Sequence, residues 1–302
     1  MSPLLLAATL AAAAGAKTYG VLIIAYDADV KWRQELGNLR GQLKGHPVES
    51  VVSADAVSLQ RAVDRLAAQR VDKIVAVPLE TVSASTRLDA VRYLFGARAE
   101  PARDVPEPSS RDLADKPLKA LHPIAKSALV LPRGAAKRLR GPVPLVLAPA
   151  LDQSPLLVEM LADRAKALTP SPARETLVLA GIGPRDDAAL KAWLASAQTT
   201  AAAVGAKAGF RKAVAVAVRD GVRADQRDKD RAGLRAAFRG LIREGRVAVV
   251  PLAPEAGRVN ELLKKTLGGF FAYRWNGQGI QGDRRLLDWV KNSAAAAAGG
   301  TR

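Results

Sequence analysis

The 302-residue sequence contains no cysteine, and this absence removes several kinds of chemistry. A protein without cysteine has no thiolate nucleophile, no disulfide and no cysteine-ligated zinc site. Histidine is almost as rare: the two histidines are His46 and His122, and each precedes a proline, which favours an extended or turn backbone. We interpret both as loop residues and do not count them as metal ligands.

Aromatic residues are also scarce, at 4% of the chain, whereas hydrophobic residues make up 49%. Leu, Val, Ala and Ile must therefore supply the core, as they do in buried parallel sheets. Acidic residues number 29 against 46 Lys and Arg, which gives a net charge of +17. This charge favours anionic partners but does not specify one.

The amino terminus carries an apolar run over residues 4–14, followed by Ala14-Gly15-Ala16. The run is shorter than the roughly 20 residues of a membrane-spanning helix. Small residues at this spacing are typical of a signal-peptide cleavage site, although no Lys or Arg precedes the run. The sequence predicts a signal peptide over residues 1–16, no membrane span, and a periplasmic or secreted protein. The alternative is a short Ala-rich helix or tail.

Short aliphatic runs alternate with amphipathic stretches along the rest of the chain, a pattern typical of parallel βαβ units. The predicted strands form two series, at 19–25, 48–53, 73–79 and 143–150, and at 176–182, 212–218, 246–253 and 270–275. Predicted helices fall between and after them, at 31–44, 58–69, 85–96, 187–203, 228–244, 256–267 and 284–291. We predict an α/β protein of two similar halves, each a parallel sheet flanked by helices.

The predicted halves span residues 17–150 and 151–302. A Pro- and charge-rich stretch over residues 97–142 interrupts the first half, and we interpret it as a loop insert with one extra strand at 127–132. Ligands of open parallel sheets bind beyond the carboxyl ends of the strands. We therefore expect the two carboxyl edges to face each other across a central cleft.

Polar residues follow the predicted strands at these edges. In the first half they are Tyr26, Asp27, Asp29, Glu80, Ser83 and Ser85, and in the second half Asp186, Asp187 and Glu255. Oxygen ligands suit hard cations, so one interpretation is a site for a divalent cation. The other is that the aspartates stabilise helix N-termini. We favour this second interpretation for Asp186 and Asp187 and leave both open for Asp27 and Asp29.

Several segments together resemble the CbiX-type sirohydrochlorin cobaltochelatase family, which is class II chelatase-like. They are the opening strand and turn with Trp32, VPL at 77–79, RYLFG at 92–96, APALDQSPLLVEMLADRAKAL at 148–168, and ARETLVLAGIGPRDD at 173–187 followed by Trp193. The resemblance spans nearly the whole chain outside the insert. It implies two flavodoxin-like halves facing across a cleft that takes a metal ion and an anionic tetrapyrrole.

The chain departs from this family where the resemblance implies histidine. Tyr26 stands at the first such position, Ala84 at the second, and Ile182 at the corresponding place in the second half. Imidazole both binds borderline metals and accepts protons near pH 7, whereas an ordinary tyrosine has a pKa of about 10. The candidate ligand cleft comprises Tyr26, Asp27, Asp29, Trp32, Glu80, Ser83, Ala84, Ser85, Ile182, Asp186 and Glu255.

We therefore expect a chelatase-like protein that retains a cleft for a metal ion or tetrapyrrole but lacks chelatase activity. The alternatives are an active chelatase in which Tyr26, Asp27 or Glu80 replaces imidazole, and a cationic surface-binding scaffold. No cofactor is specified beyond a candidate divalent cation.

Two further patterns are weaker. Gly181-x-Gly183 follows a predicted strand as in dinucleotide-binding loops, but Asp186 stands where the third glycine belongs. Arginines also recur every four residues, at Arg219, Arg223, Arg227, Arg231, Arg235, Arg239 and Arg243. Such a row drifts by about 40° per step around a helix, and we interpret it as a solvated outer helix with i,i+4 contacts. The sequence argues against nucleic-acid binding, because aromatic stacking residues are lacking.

Overall fold

A computed structural model describes residues 18–26, 30–52, 55–101, 137–268 and 272–300 of the chain. The predicted signal peptide, Asp27, Asp29 and most of the predicted insert, including its extra strand at 127–132, lie outside these ranges.

The first sheet is parallel and has the strand order β2-β1-β3-β4. Its strands are β1 (Tyr19–Ile24), β2 (Val48–Val51), β3 (Lys73–Pro78) and β4 (Leu145–Leu147). The helices of this half are α1 (Val30–Gln42), α2 (Ala56–Ala67) and α3 (Thr86–Leu94). Strands β1 and β3 are buried along most of their length, which explains their nearly continuous aliphatic sequences.

The second sheet has the corresponding order β6-β5-β7-β8 and is also parallel. Its strands are β5 (Thr176–Gly183), β6 (Lys212–Arg219), β7 (Val247–Pro251) and β8 (Arg274–Trp275). A helix α4 (Pro155–Lys166) precedes β5, and α5 (Asp187–Ala208), α6 (Ala224–Glu244), α7 (Gly257–Leu267) and α8 (Arg285–Gly299) follow in order. The predicted α/β architecture of two sheets flanked by helices is confirmed.

Helix α4 was not among the predicted helices, although its start carries clear sequence signals. Ser154 precedes the helix and accepts a hydrogen bond from the Leu156 backbone N–H at 3.2 Å, and Pro155 occupies the first turn. Proline suits this position because its missing N–H would have no partner inside the helix. The buried face of α4, Leu157, Met160, Leu161 and Ala165, has helical spacing.

The two halves are joined by helices that pack beyond their own sheet. Helix α4 packs on α5 and β7, whereas α8, the last helix of the chain, packs on β3 and β4 of the first sheet. Lys73 Nζ donates to the Ala298 carbonyl of α8 at 2.6 Å, and Arg285 pairs with Asp163 of α4 at 2.8 Å. One hydrophobic cluster contains residues of both sheets and of both helices. Residues 151–302 therefore include a helix that covers the first sheet.

Strand register shows which positions of the two halves correspond. Ile24 pairs with Pro78 in the first sheet, and Ala180 pairs with Pro251 in the second. The next residue after each proline then donates to the partner strand, with Leu79 N–H to Ile24 and Leu252 N–H to Ala180, both at 2.7 Å. Counted from these pairs, Tyr26 corresponds to Ile182, and Glu80 corresponds to Ala253.

The arginine series does not form one helical row, which corrects our interpretation. Arg219 ends strand β6, and α6 begins only at Ala224, after Arg223. Within the helix, Arg235 Nε donates to the Thr266 carbonyl of α7 at 2.7 Å. Arginines of this series therefore contact different elements, because the strand and the turn before α6 interrupt helical periodicity. Within the described residues, no helix is long and apolar enough to span a membrane.

Candidate functional site

The carboxyl edge of the first sheet carries a carboxylate held by its neighbours. Glu80 follows β3, accepts a hydrogen bond from the Thr81 backbone N–H at 3.1 Å, and accepts another from Ser85 Oγ at 2.9 Å. Burial raises the pKa of Glu80 above its ordinary value, while the charge of Arg87 and the two hydrogen bonds partly oppose the rise. Glu80 therefore holds its proton more strongly than an exposed glutamate does.

Tyr26 lies at the same edge and contacts the same arginine. The guanidinium carbon of Arg87, in the first turn of α3, lies 5.6 Å from the centroid of the Tyr26 ring. This is within the range of a cation–π contact. The Tyr26 side chain is partly buried and packs against the hydrophobic cluster beneath α2 and α3. Arg87 thus interacts with both Tyr26 and Glu80, and the structure brings these candidate residues together.

A second carboxylate, Asp152, was absent from the predicted cleft. It lies in a short 3-10 helix before α4 and accepts hydrogen bonds from the backbone N–H and hydroxyl of Ser83. Ser196 of α5 donates at 3.1 Å to Asp152 Oδ2, the oxygen that also accepts from the Ser83 N–H, so Asp152 connects both halves. Its charge raises the pKa of Glu80 further. The sequence signal that could have identified Asp152 is its position in residues 148–168, a segment that carries the family resemblance.

A direct hydrogen bond joins the carboxyl edges of the two sheets. Thr81 Oγ1, one residue beyond Glu80, donates to the Leu252 carbonyl at the end of β7, at 3.1 Å. Arg92 Nη1 donates to the Ser83 carbonyl at 2.8 Å and pairs with Asp89 at 3.0 Å, which holds the loop before α3 against that helix. The loop from Glu80 to Ser85 is therefore fixed from both sides.

Other described candidate residues of the first half lie in or against the core or cap a helix. Trp32 of α1, a residue of the candidate ligand cleft, is completely buried in the shared hydrophobic core. Ala84 is partly buried and packs against the same core. Ser85 also caps α3, because its hydroxyl oxygen accepts from the Leu88 N–H at 3.4 Å. Asp27 and Asp29 lie outside the described residues.

The candidate residues of the second half serve as caps and packing groups. Asp186 accepts a hydrogen bond from the Ala189 N–H at 2.8 Å and caps α5, as the helix-start interpretation predicts. Glu255 accepts from the Gly257 N–H at the start of α7. Ile182 is partly buried against the hydrophobic cluster beneath α6 and α7. The structure does not assemble these three residues into a polar cluster.

Close packing explains the Gly181-x-Gly183 pattern. Both glycines lie inside strand β5, not in a strand-to-helix turn. A Cβ atom on Gly181 would lie 2.8 Å from the Trp193 ring, and one on Gly183 would lie 2.8 Å from Ala217 Cβ. The glycines therefore allow α5 and β6 to approach β5, and the dinucleotide-loop alternative is wrong.

The described residues do not form a complete metal site. No group of three histidine, aspartate or glutamate side chains lies close enough to hold a metal ion in that part of the chain. Glu80 and Asp152 supply two carboxylates, but each already accepts hydrogen bonds from neighbouring residues. The arrangement can accept or release a proton at Glu80 and can offer oxygen atoms, without imidazole, to a cation.

Comparisons with known proteins identify the fold. No protein-family model matches the sequence, and no curated protein matches it. The structure is similar to that of SirB from Bacillus subtilis with Fe3+, with a TM-score of 0.57 and 12% identity, over 93% of this chain and 96% of SirB. It is also similar to the sirohydrochlorin chelatase SirB from Bacillus subtilis subspecies spizizenii in complex with cobalt, with a TM-score of 0.54 and 12% identity, over 93% and 95% of the two chains. The chain has a class II chelatase-like fold.

Proposed function

We propose that this protein is a chelatase-like protein that binds a metal ion or an anionic tetrapyrrole between its two halves and does not insert the metal. The fold supports the first part, because the structure is similar over nearly its full length to a sirohydrochlorin chelatase. The proposed lack of metal insertion rests on one observation, the absence of imidazole at two corresponding positions of the sheet edges. Tyr26 and Ile182 occupy corresponding positions beyond β1 and in β5, and neither carries an imidazole.

The chemistry of insertion explains why these residues matter. A porphyrinoid must lose protons from its ring nitrogens while a divalent ion is held and then released. Neutral imidazole suits both tasks near pH 7 and binds cobalt and nickel well. The described edge of the first sheet instead offers hydroxyls, a phenol and the carboxylates of Glu80 and Asp152, which suit harder cations.

One observation favours an active chelatase as a second candidate. Burial raises the pKa of Glu80, and a carboxylate with a raised pKa is a better proton acceptor near neutral pH than an ordinary glutamate. In this candidate, Glu80 takes the proton and Tyr26 lies beside the metal, with Asp27 as a further ligand.

The third candidate is a cationic surface-binding scaffold. It is supported by the exposed side chains of Arg227, Arg239 and Arg243 on α6.

Insertion of cobalt into sirohydrochlorin, followed by absorption spectroscopy, tests the proposal. We expect the wild-type protein to match the uncatalysed rate. The double substitution Tyr26→His with Ala84→His restores two imidazoles at the edge and should raise cobalt affinity by at least about tenfold, or about 1.4 kcal/mol. The control places the same two histidines on the exposed face of α6, as Arg227→His with Arg243→His, and should leave cobalt affinity in the cleft unchanged.

The outcomes separate the three candidates. Rapid insertion by the wild type, abolished by Glu80→Gln, would overturn the non-inserting proposal and establish the active candidate. Equal cobalt binding by the edge variant and the α6 control would remove the proposed cleft. Absence of tetrapyrrole binding, together with strong binding to anionic surfaces, would favour the scaffold.

We also propose that the protein is exported, on the strength of the apolar run over residues 4–14 and the Ala14-Gly15-Ala16 sequence. Amino-terminal sequencing of the protein purified from its native host should begin at Lys17. A soluble cytoplasmic form that retains Met1 or Ser2 would contradict this.

A further inference from the structure

A cavity of about 250 Å³ lies at the amino end of β1, at the opposite end of the strand from Tyr26 and Glu80. Val21 of β1 and Leu43, just after α1, supply aliphatic walls, and Ala294 and Ala295 of α8 line the other side. The cavity therefore lies where the carboxyl-terminal helix of the chain packs over the first sheet. It shares no residue with the edge described above.

An aromatic pair forms part of the wall. The rings of Tyr19 and His46 are stacked with their centroids 4.0 Å apart and their planes inclined by 27°. Nδ1 of His46 is buried and makes no hydrogen bond within the described part of the chain. Within the described residues, stacking on Tyr19 and not a hydrogen bond at Nδ1 is therefore the contact that holds the His46 ring.

Two lysine side chains and an asparagine side chain also line the cavity. Lys44, beyond the end of α1, and Lys291 of α8 both line the cavity and are exposed. Neither ammonium has a carboxylate within 4.0 Å among the residues that the structure describes. Asn292, beside Lys291, adds an amide donor. The cavity thus combines an apolar interior with donors suited to a carboxylate.

The second half carries a different side chain at the position that corresponds to Tyr19. Counted from the strand register, Glu175 stands at the position that corresponds to Tyr19. Glu175 is almost completely buried and pairs with Arg274 at 3.2 Å, and Arg274 also donates to the Leu168 carbonyl at 3.0 Å. The second sheet therefore carries a buried ion pair at the position where the first sheet carries the Tyr19 ring.

We propose that this cavity is a binding site for a small monocyclic aromatic carboxylate. The ring of the ligand packs between the stacked Tyr19 and His46 pair and the aliphatic wall, while its carboxylate accepts hydrogen bonds from Lys44, Lys291 and Asn292. The size supports a single ring, because pockets for drug-sized ligands span roughly 300–1,000 Å³.

Benzoate is the probe, titrated into the full chain and followed by two-dimensional amide NMR. We expect saturable shifts at Tyr19, His46 and Asn292, and weaker binding of inorganic phosphate, which has no ring to bury. Lys291→Gln should weaken benzoate binding by about tenfold. The matched control, Lys264→Gln, removes the same charge from an exposed position of α7 that does not line the cavity, and should bind like the wild type.

A cavity-filling variant tests the shape of the site independently of charge. Ala295→Phe places a ring at the exposed rim and should abolish benzoate shifts while the chain still unfolds cooperatively. Benzoate binding that survives Ala295→Phe would overturn the proposal. Equal weakening by Lys291→Gln and Lys264→Gln, or equal binding of benzoate and phosphate, would do so as well, because net charge alone would then account for the shifts.

Discussion

The two halves have the same strand order but different chemistry at the carboxyl edges of their sheets. Glu80 in the first half corresponds to Ala253 in the second. The carbonyls of these two residues accept equivalent hydrogen bonds, from Leu151 N–H at 2.9 Å and from Ile280 N–H at 3.1 Å. The residues that follow these donors are Asp152 at the edge of the first sheet and Gln281 at the edge of the second. Both carboxylates of the first edge are therefore replaced by uncharged residues in the second.

The second half uses the same backbone positions for packing and helix capping. Gly181 makes room for the Trp193 ring, and Asp186 caps α5. Its charged cluster lies beside the sheet, where Arg219 pairs with Asp187 and Asp230. The comparison shows that buried strands specify the chelatase-like fold, while a few residues beyond the strand ends decide which half offers polar chemistry.

The largest expected effect tests whether the halves form one cooperative unit. Trp32→Ala and Trp193→Ala each remove an indole from the single core that both sheets share. We expect each to lower the free energy of unfolding by about 3–5 kcal/mol and to shift one common transition in urea. The exposed control Arg227→Ala should change it by less than about 0.5 kcal/mol. Two separate transitions, one for each half, would contradict a shared core.

A smaller effect should arise at the charged cluster of the second half. The Arg219 side chain is 3% exposed and donates to both carboxylate oxygens of Asp230, at 2.7 and 2.5 Å. Arg219→Met leaves Asp230 partly buried without this partner, so we expect a loss of about 2–3 kcal/mol in urea unfolding. Arg231→Met is the control, because Arg231 lies 3.9 Å from the exposed Asp228. Cobalt and tetrapyrrole binding should be unchanged by Arg219→Met, and a loss of binding by the folded variant would assign ligand contacts to the second half.

The smallest effect concerns the pH dependence contributed by Glu80. Burial raises the pKa of Glu80 above its ordinary value of 4.5, so the folded protein keeps this proton over a range in which the unfolded chain has released it. The stabilisation is therefore present below pH 4.5 and is lost as the pH rises through the raised pKa. In Glu80→Gln this loss is absent, and the stability of the variant relative to wild type should increase with pH.

Urea unfolding at intervals between about pH 4 and pH 8 measures this difference. Glu100→Gln, at an exposed position of the same half, provides the reference series. A constant offset between Glu80→Gln and wild type across the range would show that Glu80 titrates alike in the folded and unfolded states.

Much of the fold could be predicted from local patterns. Aliphatic runs predicted the described strands, and their alternation with amphipathic stretches predicted two parallel sheets. Helix α4 was missed in spite of Ser154 and Pro155 at its start, because the consecutive apolar residues 156–158 obscure the helical spacing in its first turn. The arginine series predicted a single helical row that does not exist, since its four-residue spacing continues across the turn between β6 and α6.

The candidate site was predicted less completely, because its contacts join residues far apart in the sequence. Glu80, Ser83 and Ser85 were found from their position after β3. Asp152 and Ser196 were not, since only the packing of α4 against α5 brings them to Ser83. Trp32 was included because it belongs to a segment that carries the family resemblance, and its indole is buried in the core.

The sequence by itself determined the strands and every described α-helix except α4, the parallel sheets and the lack of imidazole at Tyr26, Ala84 and Ile182, because these follow from residue type and from periodicity along the chain. Only the tertiary structure decided that α8 covers the first sheet and that Asp152 connects the halves. It also decided that the Tyr19 and His46 rings border a cavity, and that the second half has the buried Glu175, paired with Arg274, at the position of Tyr19. The physical reason is that burial, pKa and hydrogen-bond partners depend on which distant segments pack together, and a local pattern does not contain that information.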